Sequence, residues 1–311
     1  MSQSLLTIAI PTFNRATLLD RCLNSILSQI TDDIKNDIEL IVSDNNSDDN
    51  TFGIVNKYLE KDASILYSKN SENVGADRNI AACFLKATGK YVWVISDDDL
   101  IRPGYFKFIF DVLRGNNFGV VYMQSLWYTG QFDKATRIPT TIDCTRYNNP
   151  LRFVERVNYW TTFISGNIVN KPLLNDLNAI SQFYDTSLVQ LSWILPVVFS
   201  ARENLVVNDQ VLACQEENTG GYKFYRVFGK NFNTVMDTLI SKMLIDKRVK
   251  NIINIHLLSS FFPMFMRRPL KTFETERPLK ILIPIFWNYP MFWIKVFPVL
   301  LRNQYRNNAN A

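Results

Sequence analysis

Three carboxylates, Asp97, Asp98 and Asp99, follow the apolar run Tyr91-Val-Trp-Val-Ile95 after the single residue Ser96. Adjacent acids repel one another, so folding must supply a compensating charge. A divalent cation held by carboxylate oxygens and shared with substrate phosphates would do so. A solvated acidic turn would also tolerate them, and the surrounding elements have to decide. The apolar run is short and is bounded, beyond the acids, by Pro103-Gly104. It reads as a buried strand with the carboxylates at its carboxyl end. In open α/β sheets that edge is where ligands bind.

The elements before it repeat the arrangement. Leu5 to Ile10 is a strand ended by Pro11-Thr-Phe-Asn14, and Arg15 to Gln29 carries apolar residues at helical spacing. Ile38 to Val42 is a second strand, followed by the polar stretch Ser43 to Asn50 and a helix to Leu59. Ser64 to Tyr67 is a third strand. Asn70 to Gly75 leads into a helix from Asp77 to Ala87, with Gly89 expected as its C-terminal cap. Strands alternating with helices predict βαβ units and a parallel sheet. The clusters Asn14-Arg15, Asp44 to Asp49 and Asp97 to Asp99 each follow a strand, so all three gather at one sheet edge. Unrelated acidic turns have no reason to coincide there, which favours the ligand-binding reading.

Beyond Pro103 the pattern loosens. A helix over Tyr105 to Leu113 and a strand over Phe118 to Met123 precede a polar, turn-rich segment from Tyr128 to Pro150. Thr162 to Val169 reads as a strand interrupted at Ser165-Gly166, and Pro172 is expected to open a helix. Leu188 to Ser200 is a buried helix, and Leu205 to Cys214 a strand. From Phe228 the chain is helical and increasingly basic. Residues 1–225 form one domain in this reading, with a first half over 1–104 and a second half over 105–225. Residues 226–311 form a helical C-terminal region.

Composition narrows the chemistry. The 311 residues can bury a large core, and 47% hydrophobic content with 20% charged residues fits a globular protein. A net charge of +5 suits an anionic partner and is too weak to indicate nucleic acid. Cys22, Cys83, Cys144 and Cys214 are scattered without metal-ligand spacing, as expected of packed thiols in a reducing compartment. The one histidine, His256, sits in an apolar helical stretch and reads as a core residue, which disfavours Ser-His-Asp and Cys-His catalysis. The first ten residues read as a strand rather than a signal peptide.

Four motifs stand in order: Ala9-Ile-Pro-Thr-Phe-Asn-Arg15, Ile41-Val-Ser-Asp-Asn-Asn-Ser-Asp-Asp49, Asn73-Val-Gly-Ala-Asp-Arg-Asn79 and Ser96-Asp-Asp-Asp-Leu-Ile-Arg-Pro-Gly104. Together they resemble an inverting family 2 glycosyltransferase with the GT-A fold, a mostly parallel sheet flanked by helices. Trp93 before the acids is similar to abequosyltransferase-like enzymes of bacterial O-antigen assembly. The resemblance implies a nucleotide diphosphate-sugar donor bordered by Pro11, Thr12, Asn14 and Arg15. It implies Asp44 as acceptor of a hydrogen bond from the base, and Asn73, Gly75 and Arg78 beside the nucleotide. The alternative for Asp44 is an Asx turn capping the next helix. Asp44-x-Asn46-x-Asp48 also mimics the start of a calcium loop, but Asp49 and Val55 stand where Gly and Glu would be needed. Asp77 has no role assigned by the resemblance.

The family metal motif departs here, because Ser96 replaces the usual leading acid. Asp98 is the expected ligand for Mn²⁺ or Mg²⁺, with Asp97 and Asp99 sharing metal, ribose or supporting duties. An inverting transfer needs a general base. The usual acidic pair is missing, and Asp185 is the candidate, with a helix N-cap as its alternative role. Glu216 and Glu217, beside Thr219-Gly220-Gly221, are the runners-up. The rival readings are a nucleotidyltransferase, which lacks its Gly-rich phosphate loop here, a dinucleotide-binding oxidoreductase, which lacks GxGxxG, and a membrane-docked scaffold without catalysis.

Ile281 to Leu301 is the most hydrophobic stretch, interrupted by Pro284, Pro290, Lys295 and Pro298. Trp287, Tyr289 and Trp293 suit a membrane–water interface, and Arg302 and Arg306 suit anionic headgroups. The alternatives are packing on the catalytic domain and a homodimer interface. With the resemblance, the stretch implies a lipid-linked glycan acceptor, such as one on undecaprenyl diphosphate. It further implies a peripheral position on the inner, cytoplasmic face of a bacterial membrane.

Overall fold

A computed structural model describes residues 3–61, 64–130, 132, 141–216, 223–266 and 276–309, without the side chains of 304–309. Its first half is a βαβ series. Strand β1 (Leu6–Thr12) is followed by helix α1 (Ala16–Leu27), β2 (Ile38–Asp44), α2 (Thr51–Leu59), β3 (Ile65–Lys69), α3 (Ala76–Lys86) and β4 (Tyr91–Val94). Strands β3, β2, β1 and β4 lie side by side, all parallel. Strands β1 and β4 are buried on both faces, which is why their sequences read as continuous apolar runs rather than alternating ones.

The second half is mixed. It contains β5 (Leu100–Ile101), α4 (Tyr105–Arg114), β6 (Val120–Tyr128), β7 (Cys144–Tyr147), α5 (Pro150–Val157), β8 (Asn167–Asn170), α6 (Leu191–Ser200) and β9 (Asn204–Gln215). The sheet runs β3-β2-β1-β4-β8-β6-β9-β5, with β7 paired to β9. Pro150 opens α5, and Asn149 caps it by accepting from the Leu151 and Arg152 amides.

Several expectations are corrected. Pro172 lies in a single 3₁₀ turn, Lys171–Leu173, not at the start of a helix. The Ser165-Gly166 interruption is a 3₁₀ turn ahead of the short β8. The segment expected to be turn-rich holds the end of β6 and all of β7. Gly89 does not cap α3, which ends at Lys86 against Ala87. Instead its amide donates to Thr7 Oγ1 at 2.8 Å, and a Cβ there would meet the Thr7 backbone nitrogen at 2.7 Å. This glycine serves close approach of chain segments. His256 is half-buried rather than a core residue.

The C-terminal region comprises α7 (Phe232–Ser241), α8 (Arg248–His256), α9 (Phe262–Met266), α10 (Pro278–Phe286) and α11 (Phe297–Ala309), with π-helical turns among them. It shares one core with the sheet. Phe84 of α3 stacks on Trp193 of α6, and Phe232, Leu258, Phe286, Phe292 and Val296 continue the same buried cluster. The hydrophobic stretch therefore packs along one side. Its other side leaves Trp287, Trp293 and Ile294 65%, 42% and 65% exposed. No described helix is long and apolar enough to cross a membrane.

Candidate functional site

Register explains how distant motifs meet. Thr12 pairs with Asp44 across β1 and β2, and Ala9 pairs with Val94 across β1 and β4. The carboxyl ends of β1, β2 and β4 are thus level. Thr12 Oγ1 donates to Asp97 Oδ2 at 2.7 Å, and the Arg15 guanidinium lies 3.1 Å from Asp97 and 3.4 Å from Asp98. Ser96, the departure from the family motif, donates through its hydroxyl to Asp98 Oδ1. It orients that carboxylate where an acid would have repelled it.

The three acids are only 3%, 7% and 4% exposed. Asp99 points inward, with the Ser165 hydroxyl and the Cys214 thiol on its carboxylate. Burial, added to the charge of Asp98, pushes Asp99 up to about 7. Burial also pushes Asp97 up to about 6, with Arg15 opposing and Asp98 reinforcing the rise. Such perturbed acids, gathered at the carboxyl edge of the parallel strands, are a functional-site candidate. Burial raises all four thiols, Cys22, Cys83, Cys144 and Cys214, so none is an activated thiolate.

The loop after β2 is tied to the loop after β1. Asn14, at φ +51°, donates its amide to Ser47 Oγ and accepts from the Asp48 amide. Asp49 accepts from the amides of Ala16 and Thr51, and so caps both α1 and α2. Asp44 is 1% exposed and accepts from the Ser47 amide at 2.8 Å and the Tyr67 hydroxyl at 2.6 Å. The first bond closes a turn within the loop and does not make Asp44 the cap of the next helix, since α2 begins at Thr51 and that amide goes to Asp49. Each oxygen still has a second lone pair.

Asn73 accepts from Asn45 Nδ2 and from the Gly75 amide, while Gly75 makes the expected tight turn at φ +87°. On α3, Arg78 forms a two-pronged ion pair with Asp185, at 2.8 and 3.3 Å, and stacks 5.0 Å from the Tyr184 ring. Asp185 has an exposed side chain and φ +65°. It is not the N-cap of α6, since Gln190 holds that position. The cap-like role belongs to buried Asp77, which accepts from the amides of Ser187, Thr186 and Val189 and docks α3 onto the second half. Glu216 donates its amide to the Tyr128 carbonyl, while Glu217 and Thr219 to Gly221 lie outside the described residues.

Sequence reasoning missed Tyr67, Ser47, Asp77, Ser165 and Tyr184. Each acts through a partner that no local spacing identifies. Only Ser47 and Asp77 lay inside motifs already singled out.

The fit to a divalent cation rests on the donor set. Asp97 and Asp98 offer carboxylate oxygens, the hard donors that Mg²⁺ and Mn²⁺ take. No cage of three or more acidic, thiol or imidazole ligands is gathered among the described residues. Two carboxylates completed by water and substrate phosphate is, however, the ordinary Mg²⁺ arrangement. Asp99, also expected to share the metal, is turned to the Ser165 hydroxyl and the Cys214 thiol.

Several known glycosyltransferases are similar to this chain. A 98-residue stretch is 38% identical to the abequosyltransferase RfbV of Salmonella typhimurium, covering 31% of this chain and 29% of that protein. A 100-residue stretch is 37% identical to a GalNAc(5)-diNAcBac-PP-undecaprenol β-1,3-glucosyltransferase of Campylobacter jejuni, covering 32% and 31%. These matches thus span less than a third of either relative's length. The structure of TarS residues 1–349 from S. aureus superposes with a TM-score of 0.62 at 17% identity, over 95% of this chain and 82% of that one. The fold is the GT-A fold expected from the motifs. The model for "Glycosyl transferase family 2" matches residues 7–170, from β1 through β8. By that match, and by the motifs it spans, the chain belongs to glycosyl transferase family 2.

Proposed function

We propose that the protein is a metal-dependent inverting glycosyltransferase that moves a sugar from a nucleotide diphosphate donor to a lipid-linked glycan. One observation carries this reading. The Thr12–Asp97–Arg15–Asp98 cluster sits at the carboxyl edge of the parallel strands, level with Asp44. Asp98, steered by Ser96, and Asp97 would hold Mn²⁺ or Mg²⁺. When bound, the cation supplies charge stabilisation for the departing nucleotide diphosphate. Asp44, with Tyr67 and the Asn73–Gly75 turn, borders the base, and Arg78, on the helix after that turn, is engaged with Asp185.

In the transfer, an acceptor hydroxyl oxygen attacks the anomeric carbon as the bond from that carbon to the diphosphate oxygen breaks. Asp185 takes the hydroxyl proton. Arg78 holds this carboxylate by both guanidinium prongs and so fixes its direction. The Campylobacter relative, a GalNAc(5)-diNAcBac-PP-undecaprenol glucosyltransferase, supports a diphospho-undecaprenol-linked acceptor. Exposed Trp287, Trp293 and Ile294 support peripheral contact with the membrane that carries such an acceptor.

The test is hydrolysis and transfer with a panel of UDP-, GDP-, TDP- and CDP-sugars, with and without Mn²⁺. At least one donor should turn over. Asp185→Asn should lower transfer by about 10²-fold or more, the scale of a lost general base, while leaving nucleotide binding intact. Turnover of no donor would defeat the reading. Undiminished transfer by Asp185→Asn would defeat the base assignment alone.

A further inference from the structure

Beyond the acid cluster, on the side away from Asp44, lies a cavity of about 200 Å³ lined by Tyr122, Gln124, Ser125, Trp127, Arg156 and Trp160. Its construction is unusual for a strand surface. Neighbours on a regular strand face opposite sides, yet Gln124 and Ser125 both line it. The register of β6 against β9 shifts on either side of Gln124, where β9 carries the extra residues Asn208, Asp209 and Val211, so β9 bulges against β6 at that point. Bulges re-aim side chains in this way and recur beside active sites.

The walls are aromatic. The Trp127 ring is 40% exposed and lies 5.9 Å from Trp160 and 5.7 Å from Phe163. Gly166 keeps the adjoining wall tight, since a Cβ there would stand 3.0 Å from Phe163 and 3.2 Å from Tyr122. Polar groups complete the rim. Arg156, held to Asn208 Oδ1 at 3.2 Å, closes one side. The buried Ser125 hydroxyl has no hydrogen-bond partner of good geometry among the described residues. It lies only against the Cys214 thiol, a weak partner. That thiol in turn touches the Asp99 carboxylate, so the cavity adjoins the acid cluster through Ser125, Cys214 and Asp99.

The geometry points to this cavity as a subsite for one pyranose ring of the glycan acceptor. A sugar ring has an apolar C–H face, which an aromatic plane covers, and an equatorial belt of hydroxyls, which Gln124, Ser125 and Arg156 meet. A nucleobase also stacks on aromatic rings. However, Asp44 is on β2 and the acids follow β4, whereas the cavity is on β6, two positions beyond β4 in the sheet. The ring therefore lies on the opposite side of the acids from the base. This inference rests on the glycosyl-transfer reading for its identification of the occupant as acceptor.

The test uses methyl β-pyranosides of glucose, galactose, N-acetylglucosamine and N-acetylgalactosamine, followed by saturation-transfer NMR on the intact chain. At least one should bind, and Trp127→Ala should weaken it tenfold or more. Arg156→Gln, at an exposed position that folding tolerates, should weaken it severalfold. Neither change should move the stabilisation by nucleoside diphosphate with Mn²⁺ more than twofold in apparent affinity. Binding of no pyranoside would overturn the proposal, as would binding that Trp127→Ala leaves unchanged. Displacement of the pyranoside by nucleoside diphosphate, or by the intact nucleotide-sugar donor, would also overturn it, because the cavity would then belong to the donor. Loss of diphosphate binding with pyranoside binding intact would instead count against the donor site only.

Discussion

At the residue scale, the site is governed by how three acids share too little charge compensation. Arg15 answers Asp97 and Asp98, Ser96 fixes Asp98, and Asp99 is left to a hydroxyl and a thiol. Burial lifts Asp97 to about 6 and Asp99 to about 7. In the unfolded chain both ionise near the ordinary carboxylate value of about 4. Between these values the folded chain binds more protons than the unfolded one, so these groups make stability fall as pH rises from about 4 to about 7. A cation favours the ionised carboxylates, so Mn²⁺ or Mg²⁺ should raise the melting temperature more near pH 8 than near pH 5. Thermal unfolding across that range measures this. Asp99→Asn, which removes one of the two raised acids, should flatten the metal-free decline. A decline of equal slope in Asp99→Asn would assign it to other groups.

At the element scale, the site depends on caps and close approaches between segments far apart in sequence. Asp49 caps two helices at once, Asp77 docks α3 on the turn before α6, and Gly89 lets the chain press against β1. Gly89→Ala sets a Cβ against the Thr7 backbone and should cost about 1–3 kcal/mol, the range for overpacking. Urea unfolding would show it, and a change within about 0.5 kcal/mol, the size of an ordinary surface substitution, would mean the segments shift freely. This scale also separates what was legible in the sequence from what was not. Strands β1 and β4 were readable because parallel strands buried on both faces leave unbroken apolar runs, and β2 because its buried end reads the same way. The motifs Asn14-Arg15, Asp44 and Asp97 to Asp99 were readable because each ends such a run. Strand β5 is two residues long and exists only through its pairing with β9. Strand β7 carries a polar sequence, and Tyr67 and Asp77 act through partners 23 and 110 residues away. No local pattern encodes those pairings.

At the scale of the whole molecule, the parallel half, the mixed half and the C-terminal helices share a continuous core, with the acids at one sheet edge and an apolar flank elsewhere. That flank carries Trp287, Met291, Trp293 and Ile294 beside Lys295 and Arg302, all exposed. The Arg306 side chain lies outside the described residues. If the flank meets lipid, the chain should co-float with vesicles containing anionic phospholipid, and the double change Trp287→Ala, Trp293→Ala should reduce the bound fraction several-fold. Equal binding by the variant would place the contact elsewhere. The central claim, a metal–diphosphate end of a donor site at Asp98, is tested most directly by thermal shift with nucleoside diphosphates. With Mn²⁺ present, at least one of UDP, GDP, TDP and CDP should raise the melting temperature by a few degrees at saturation. Asp98→Ala should remain folded and lose that shift. A shift of the same size in Asp98→Ala, or none in the wild type with any of the four, would contradict the account.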